Sequence, residues 1–292
     1  MASRHLQHCL DTVRRSDWEH YVTSLFIPAH ARAAVFAVRA FNCEVASVRD
    51  SVSSQSKETI VASMRFQFWR DLVDGVYAGR PVNHPIALAL ADAVETTPIS
   101  KHFLQRIISS READFNAKSV YPTLASLEAY AEQSQSSLLY LQLEACGVQN
   151  FKVDHIASHI GKAIGISTIL RGTPAHVQVR QLYLPSDLLA KHNVSTEDIF
   201  RKGPSEPLSD VVFDVASVAN DHVTTARSHI AESAVKNEFP QIALTALLPA
   251  IGCDSYLQRL EKAQFNVFNP SLQRRDWKLL YQLWKKNRSG NI

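Results

Sequence analysis

The stretch ARAAVFAVRAFNCEVASVRD, residues 31–50, spaces Val35, Val38, Phe41, Val45 and Val48 three or four positions apart. A helix turns once in 3.6 residues, so this spacing lays all five apolar side chains along one face. The same period recurs at both ends of the chain, in Leu6, Cys9, Leu10 and Val13 and in Trp277, Leu280, Tyr281 and Trp284. Working outward, helices are expected at 59–78, 85–94, 100–116, 123–145, 153–170, 186–191, 196–201, 207–233 and 239–250. Strand-like alternation is nearly absent. Residues 177–184 are the one extended candidate, and alone they cannot build a sheet. The breaks are short: Gly79-Arg80-Pro81, Thr97-Pro98, Gly172-Thr173-Pro174 and Gly203-Pro204. No repeat and no long polar linker divides the chain. The expectation is one all-α domain over residues 1–292, a helical bundle with a shared core.

Composition agrees. The 292 residues are 46% hydrophobic with a net charge of +3, which excludes a disordered chain and argues against a general nucleic-acid binder. Nine Gly and twelve Pro are too few for a fibrous or linker-rich protein. Cys9, Cys43, Cys146 and Cys253 form no CxxC pair, so a thiolate zinc site is not expected and a reducing compartment is. The longest apolar run, 242–253, contains Pro249 and is shorter than the roughly 20 residues a spanning helix needs. The chain reads as soluble or peripheral. Residues 1–10 carry Arg4 and no acid, as a transit peptide would, but Asp11, Asp17 and Glu19 follow, so no transit peptide is evident.

Several segments resemble the squalene/phytoene synthase family. They are Ala37-Val38-Arg39-Ala40-Phe41-Asn42, Arg65-Phe66-Gln67-Phe68-Trp69-Arg70-Asp71, Tyr77-Ala78-Gly79-Arg80-Pro81 with His84-Pro85, and Gly165 through Ile169-Leu170-Arg171 to Tyr183-Leu184-Pro185. Phe265-Asn266-Val267-Phe268 continues the likeness near the end. The resemblance implies an isoprenoid-synthase-like bundle around a central cavity. It also implies chemistry on prenyl diphosphates, with magnesium ions held between carboxylates and phosphate. The carboxylate positions are altered. The first motif's leading aspartates fall on Ala46 and Ser47, and only its last is matched, by Asp50. The second motif's aspartates fall on Gly172 and His176, its asparagine on Thr168 and its glutamate on Ala175. Independently of any resemblance, residues 155–186 contain no Asp or Glu, while Lys162, Arg171 and Arg180 are present. A carboxylate-held magnesium cluster cannot be built there. No catalytic residue, cofactor or metal is therefore expected, and the chain reads as a pseudoenzyme.

One branch of the family shares this pattern. Its likeness is carried by Val35-Phe36-Ala37-Val38-Arg39-Ala40-Phe41-Asn42, Gln135-Ser136-Ser137-Leu138-Leu139-Tyr140-Leu141 and Ala157-Ser158-His159-Ile160-Gly161-Lys162-Ala163. That branch implies an early role in assembling mitochondrial respiratory complex I, on the matrix side of the inner membrane. The partners would be complex I subunits or other assembly factors, with peripheral lipid contact and no nucleic acid. The alternatives are a lipid- or isoprenoid-binding protein and a residual prenyl transferase with relocated ligands, which would need at least three or four carboxylates on the cavity.

Arg39, Asp50, Gln135, Arg171, His176 and Tyr183 are candidates for a vestigial pocket. Arg171 either contacts an anion or sits in an ion pair, and Gln135-Ser136-Ser137 forms either a binding surface or a tight helix contact. His155 and His159, four apart, could share a metal but read as ordinary polar-face histidines. At the C-terminus, Trp277, Leu280, Tyr281 and Trp284 are expected to pack on the body. Arg274, Arg275, Lys278, Lys285 and Lys286 around them are candidates for contact with anionic lipid.

Overall fold

The computed structural model describes residues 3–50, 56–117, 121–235 and 239–289. Among the described residues there is helix and no strand. The first six helices are α1 (Arg4–Ser16), α2 (Trp18–Ser24), α3 (Ala29–Asp50), α4 (Ser56–Tyr77), α5 (Pro85–Thr96) and α6 (Lys101–Asn116). Then follow α7 (Leu124–Ala131), a π-helical turn at Glu132–Ser136, α8 (Ser137–Ala145), α9 (Phe151–Gln178), α10 (Ser186–Lys191) and α11 (Thr196–Lys202). The long α12 (Glu206–Val235) leads to α13 (Gln241–Leu247), α14 (Pro249–Lys262) and α15 (Leu279–Ser289). The expected stripe on α3 is buried at all five positions, and Cys9 and Val13 of α1 pack into the same core. Arg39 shares that core: its guanidinium donates to Gln142 Oε1 at 2.9 Å, and Gln142 Nε2 donates to the Ala246 carbonyl at 2.7 Å.

Three departures from the sequence reading have physical causes. First, α9 runs through Gly172-Thr173-Pro174 rather than stopping at 170, which removes part of the extended candidate at 177–184. Proline deletes the backbone donor that would pair with the Leu170 carbonyl, and beside it the hydroxyl of Thr173 donates to the Ile169 carbonyl at 3.0 Å. Second, the helix expected at 123–145 is interrupted by the π turn. Third, the helix expected at 239–250 divides before Pro249, which opens α14 as an N-terminal proline does.

The π turn and α9 approach each other closely. A Cβ on Gly161 would lie 2.3 Å from Ser136 Oγ and 2.4 Å from its Cα, and one on Gly165 would lie 2.4 Å from Ala131 Cβ. Ser136 Oγ bridges the helices by donating to the Ser158 carbonyl at 3.1 Å. Glu132, in the same turn, accepts from Ser158 Oγ at 2.7 Å and from Tyr140 OH at 2.8 Å. Of the two readings of the Gln135-Ser136-Ser137 run, Ser136 thus forms the tight contact, while Ser137 Oγ donates to the Gln133 carbonyl at 2.8 Å.

At the C-terminus the helix is turned over relative to expectation. Its inward residues are Leu279 and Leu283, whereas Trp277 is 80%, Tyr281 62%, Trp284 52% and Leu280 51% exposed. Two leucines a turn apart fit against α14, and the bulkier aromatic face is left outside.

Candidate functional site

A cavity of about 590 Å³ lies between the α1–α2 junction, α3, the π turn, α9, α14 and the 272–276 segment. The π turn directs Ser134 and Gln135 into it, and α3 contributes Asn42, Cys43, Ala46 and Ser47. Its charged lining is Asp17, Glu19 and Asp276 with Arg111, Arg171, Arg259, Arg274 and Arg275.

Each carboxylate already has a partner. Glu19 Oε2 accepts from Arg171 at 2.8 Å, and the Arg171 guanidinium lies 4.8 Å over the Tyr256 ring. Asp276 Oδ2 accepts from Ser255 Oγ at 2.5 Å and Oδ1 from the Lys278 amide at 2.9 Å. Asp17 caps α2, accepting from His20 N at 3.3 Å and contacting His20 Nδ1 at 2.8 Å. Burial by itself would raise the Asp17 carboxyl, but His20 and the buried Arg39 outweigh it and hold it at about 2. Its contribution to stability is therefore full above the ordinary 3.8 and is lost as pH falls through about 2. Asp17→Asn is expected to cost about 2 kcal/mol at pH 7 in urea unfolding, with the gap from wild type shrinking only below pH 4. A gap that stays constant down to pH 2 would contradict this.

Three carboxylates line the cavity. They come from the α1–α2 junction and the 276 region rather than from facing positions on α3 and α9. The walls at the two motif helices present Ala46, Ser47, Gly165 and Thr168. The three carboxylates are engaged by an arginine at Glu19 Oε2, a histidine at Asp17 Oδ1 and a serine at Asp276 Oδ2. The thiols are inert as well: burial, the larger cause, pushes Cys43 and Cys253 up to about 12, so neither supplies a thiolate. Five arginines thus stand against three acids in the cavity lining.

Of the six pocket candidates, Gln135 and Arg171 line the cavity. Arg39 lies beneath it in the core. His176 packs against the Tyr183 ring at 4.4 Å, and a Cβ on Gly172 would collide with His176 Cε1 at 2.6 Å. Tyr183 is buried, accepts from Arg49 and donates to Gln181 at 3.0 Å. Arg49 in turn bridges to Asp114 at 2.6 Å. The side chain of Asp50 lies outside the described residues. Asp17, Glu19, Arg111, Arg259 and Asp276 were not foreseen. The break at Ser16-Asp17-Trp18 marks a cap, but nothing local links Glu19 to Arg171 on α9.

Of the basic candidates, Arg274 and Arg275 line the cavity, Lys278 immediately precedes α15, and Lys285 and Lys286 lie on it. Arg275 lies 5.0 Å over the Trp18 ring and Lys278 5.4 Å from the Trp277 ring. A second exposed stripe runs along α4, where Ile60, Met64 and Phe68 recur one turn apart. On the seam of α9 and α12, burial first and then the neighbouring His222, His155, Lys162 and His229 push His159 down to about 4.

A profile of the squalene/phytoene synthase family matches residues 13–281. The chain belongs to the squalene/phytoene synthase family. This family member is 43% identical to NADH dehydrogenase (ubiquinone) complex I, assembly factor 6 of Bos taurus, over 96% of this chain and 82% of the relative. It is 41% identical to the protein of the same name from Homo sapiens, with the same coverage. Among solved structures it is similar to a dehydrosqualene synthase in complex with ligand, with a TM-score of 0.79 and 17% identity, over 98% of this chain and 96% of the other. That likeness shows the isoprenoid-synthase fold. Among the described residues, no helix is long and apolar enough to cross a membrane.

Proposed function

We propose that this family member supports assembly of respiratory complex I in mitochondria, acts without turnover of prenyl diphosphates, and works as one unit over residues 1–292. The observation that carries the reading is identity of 41–43% to complex I assembly factor 6 across nearly the whole chain. The cavity supports the non-catalytic part. A diphosphate leaving group needs metal neutralisation, and the lining offers engaged carboxylates in a surplus of arginine. Purified protein with farnesyl diphosphate and magnesium is expected to release no pyrophosphate above a protein-free control, and sustained release would refute the non-catalytic part.

The two exposed apolar faces supply contact surfaces. We assign α15 to the matrix face of the inner membrane, because aromatic side chains ringed by Arg and Lys suit the headgroup region. We assign the Ile60–Met64–Phe68 stripe to a protein partner. Proximity labelling from this chain in mitochondria tests the whole: complex I subunits or assembly factors are expected among the labelled proteins. Ile60→Asp with Met64→Asp should deplete them. A labelled set without complex I components would end the proposal.

A further inference from the structure

Four histidines meet on the seam between α9 and α12, outside the cavity and unused by the proposed function. His155 and His159 lie one turn apart on α9, and His222 and His229 lie two turns apart on α12. The helices run antiparallel here, so His155 faces His229 and His159 faces His222, each pair with ring centroids 5.1 Å apart. One ring nitrogen from each of His155, His159 and His229 falls within 4.8 Å of the other two.

We propose that His155, His159 and His229 bind a divalent d-block cation of the zinc class. Three imidazoles with no carboxylate among them suit zinc, copper or nickel rather than the oxygen-seeking magnesium or calcium. Three protein ligands leave a fourth tetrahedral position for water, and His155, exposed, lies on the side where that water enters. A Zn–N distance of about 2.1 Å sets nitrogens about 3.4 Å apart, so nitrogens up to 4.8 Å apart must close by as much as about 1.4 Å.

A second observation points to the same use. His222 Nε2 lies 2.8 Å from Glu128 Oε1, and His222 Nδ1 lies 2.8 Å from His159 Nδ1. Assigning Glu128 as the acceptor places the proton on His222 Nε2. His222 Nδ1 then accepts from His159 Nδ1–H, which leaves the lone pair of His159 on Nε2. A carboxylate relay behind a histidine fixes its tautomer and ring orientation as a ligand. Lys162 nearby opposes a dication, and Glu128 offsets that charge.

The test is titration of the metal-free full chain with zinc against a chromophoric chelator, followed by cobalt(II) spectroscopy. One zinc per chain is expected, bound on the order of 100-fold more weakly by His155→Ala or His229→Ala and about tenfold more weakly by Glu128→Gln. His102→Ala should match wild type. Cobalt should give tetrahedral d–d bands without thiolate charge transfer. His155→Gln, at an exposed position, repeats the test should an alanine variant melt early. Absence of stoichiometric zinc, unchanged affinity in the histidine variants, or thiolate bands would each overturn the assignment. None of these outcomes bears on complex I assembly, so the two proposals fail separately.

Discussion

Vesicles containing anionic lipid are expected to retain the wild-type chain and to release a variant with Trp277, Tyr281 and Trp284 all changed to alanine. These rings are mostly exposed, so their removal leaves the core intact. Insertion of one large apolar side chain contributes about 1.5–3 kcal/mol. Losing three should weaken binding by well over 100-fold, even if each ring is only partly immersed. The basic side chains add about 1 kcal/mol apiece near an anionic surface and leave a salt-sensitive residue of binding. Changing Lys285 and Lys286 to Gln should therefore weaken binding by a smaller factor, and only at low salt. Flotation assays at two ionic strengths separate these effects. Equal binding by the aromatic variant and wild type would remove α15 from the membrane.

Gly161→Ala is the substitution expected to damage the fold most for its size. The new Cβ would meet backbone as well as side chain of Ser136, at 2.3–2.5 Å, so α9 and the π turn must part. Overpacking of this kind costs about 1–3 kcal/mol. Separation would also break the Ser136–Ser158 bond and disturb Glu132, taking the total to about 3 kcal/mol or more. Gly147 gives the contrast: at φ 74° with no atom near its Cβ, alanine there meets only backbone strain of about 1 kcal/mol. Chemical denaturation should rank Gly161→Ala well below Gly147→Ala, and the reverse order would show that the helices separate at little cost.

The helices were legible because burial follows period. The α3 stripe and the α1 face read directly into the core. What failed were places where two signals competed. At α15 both faces are apolar at helical spacing; larger side chains suggested the buried side, yet Leu279 and Leu283 take it because they fit beside α14. At Pro174 the breaker signal lost to packing of α9 along α12. The π turn leaves no pattern in the Thr123–Ala145 region, because its extra residue is absorbed by serines bonding to backbone, such as Ser134 to the Tyr130 carbonyl at 2.8 Å.

The site was legible only in part. Gln135 and Arg171 were found because they stand in segments that resemble a known family. Glu19, which neutralises Arg171, stands 152 positions away and carries no local mark. His229 was hidden in the same way, joining His155 and His159 only when α12 folds onto α9. Pairing across helices is a property of tertiary packing, and one sequence does not encode it locally.

As proposed above, the chain is a synthase scaffold whose work lies in assembly. The most direct measurement is the amount of mature complex I on native gels, from cells whose own copy is deleted and which re-express this chain. Re-expression is expected to restore complex I, and to do so equally when Arg171 and Gln135 are replaced by Met and Leu. Complex I levels that are unchanged by deletion, or restored only with the cavity residues intact, would contradict it.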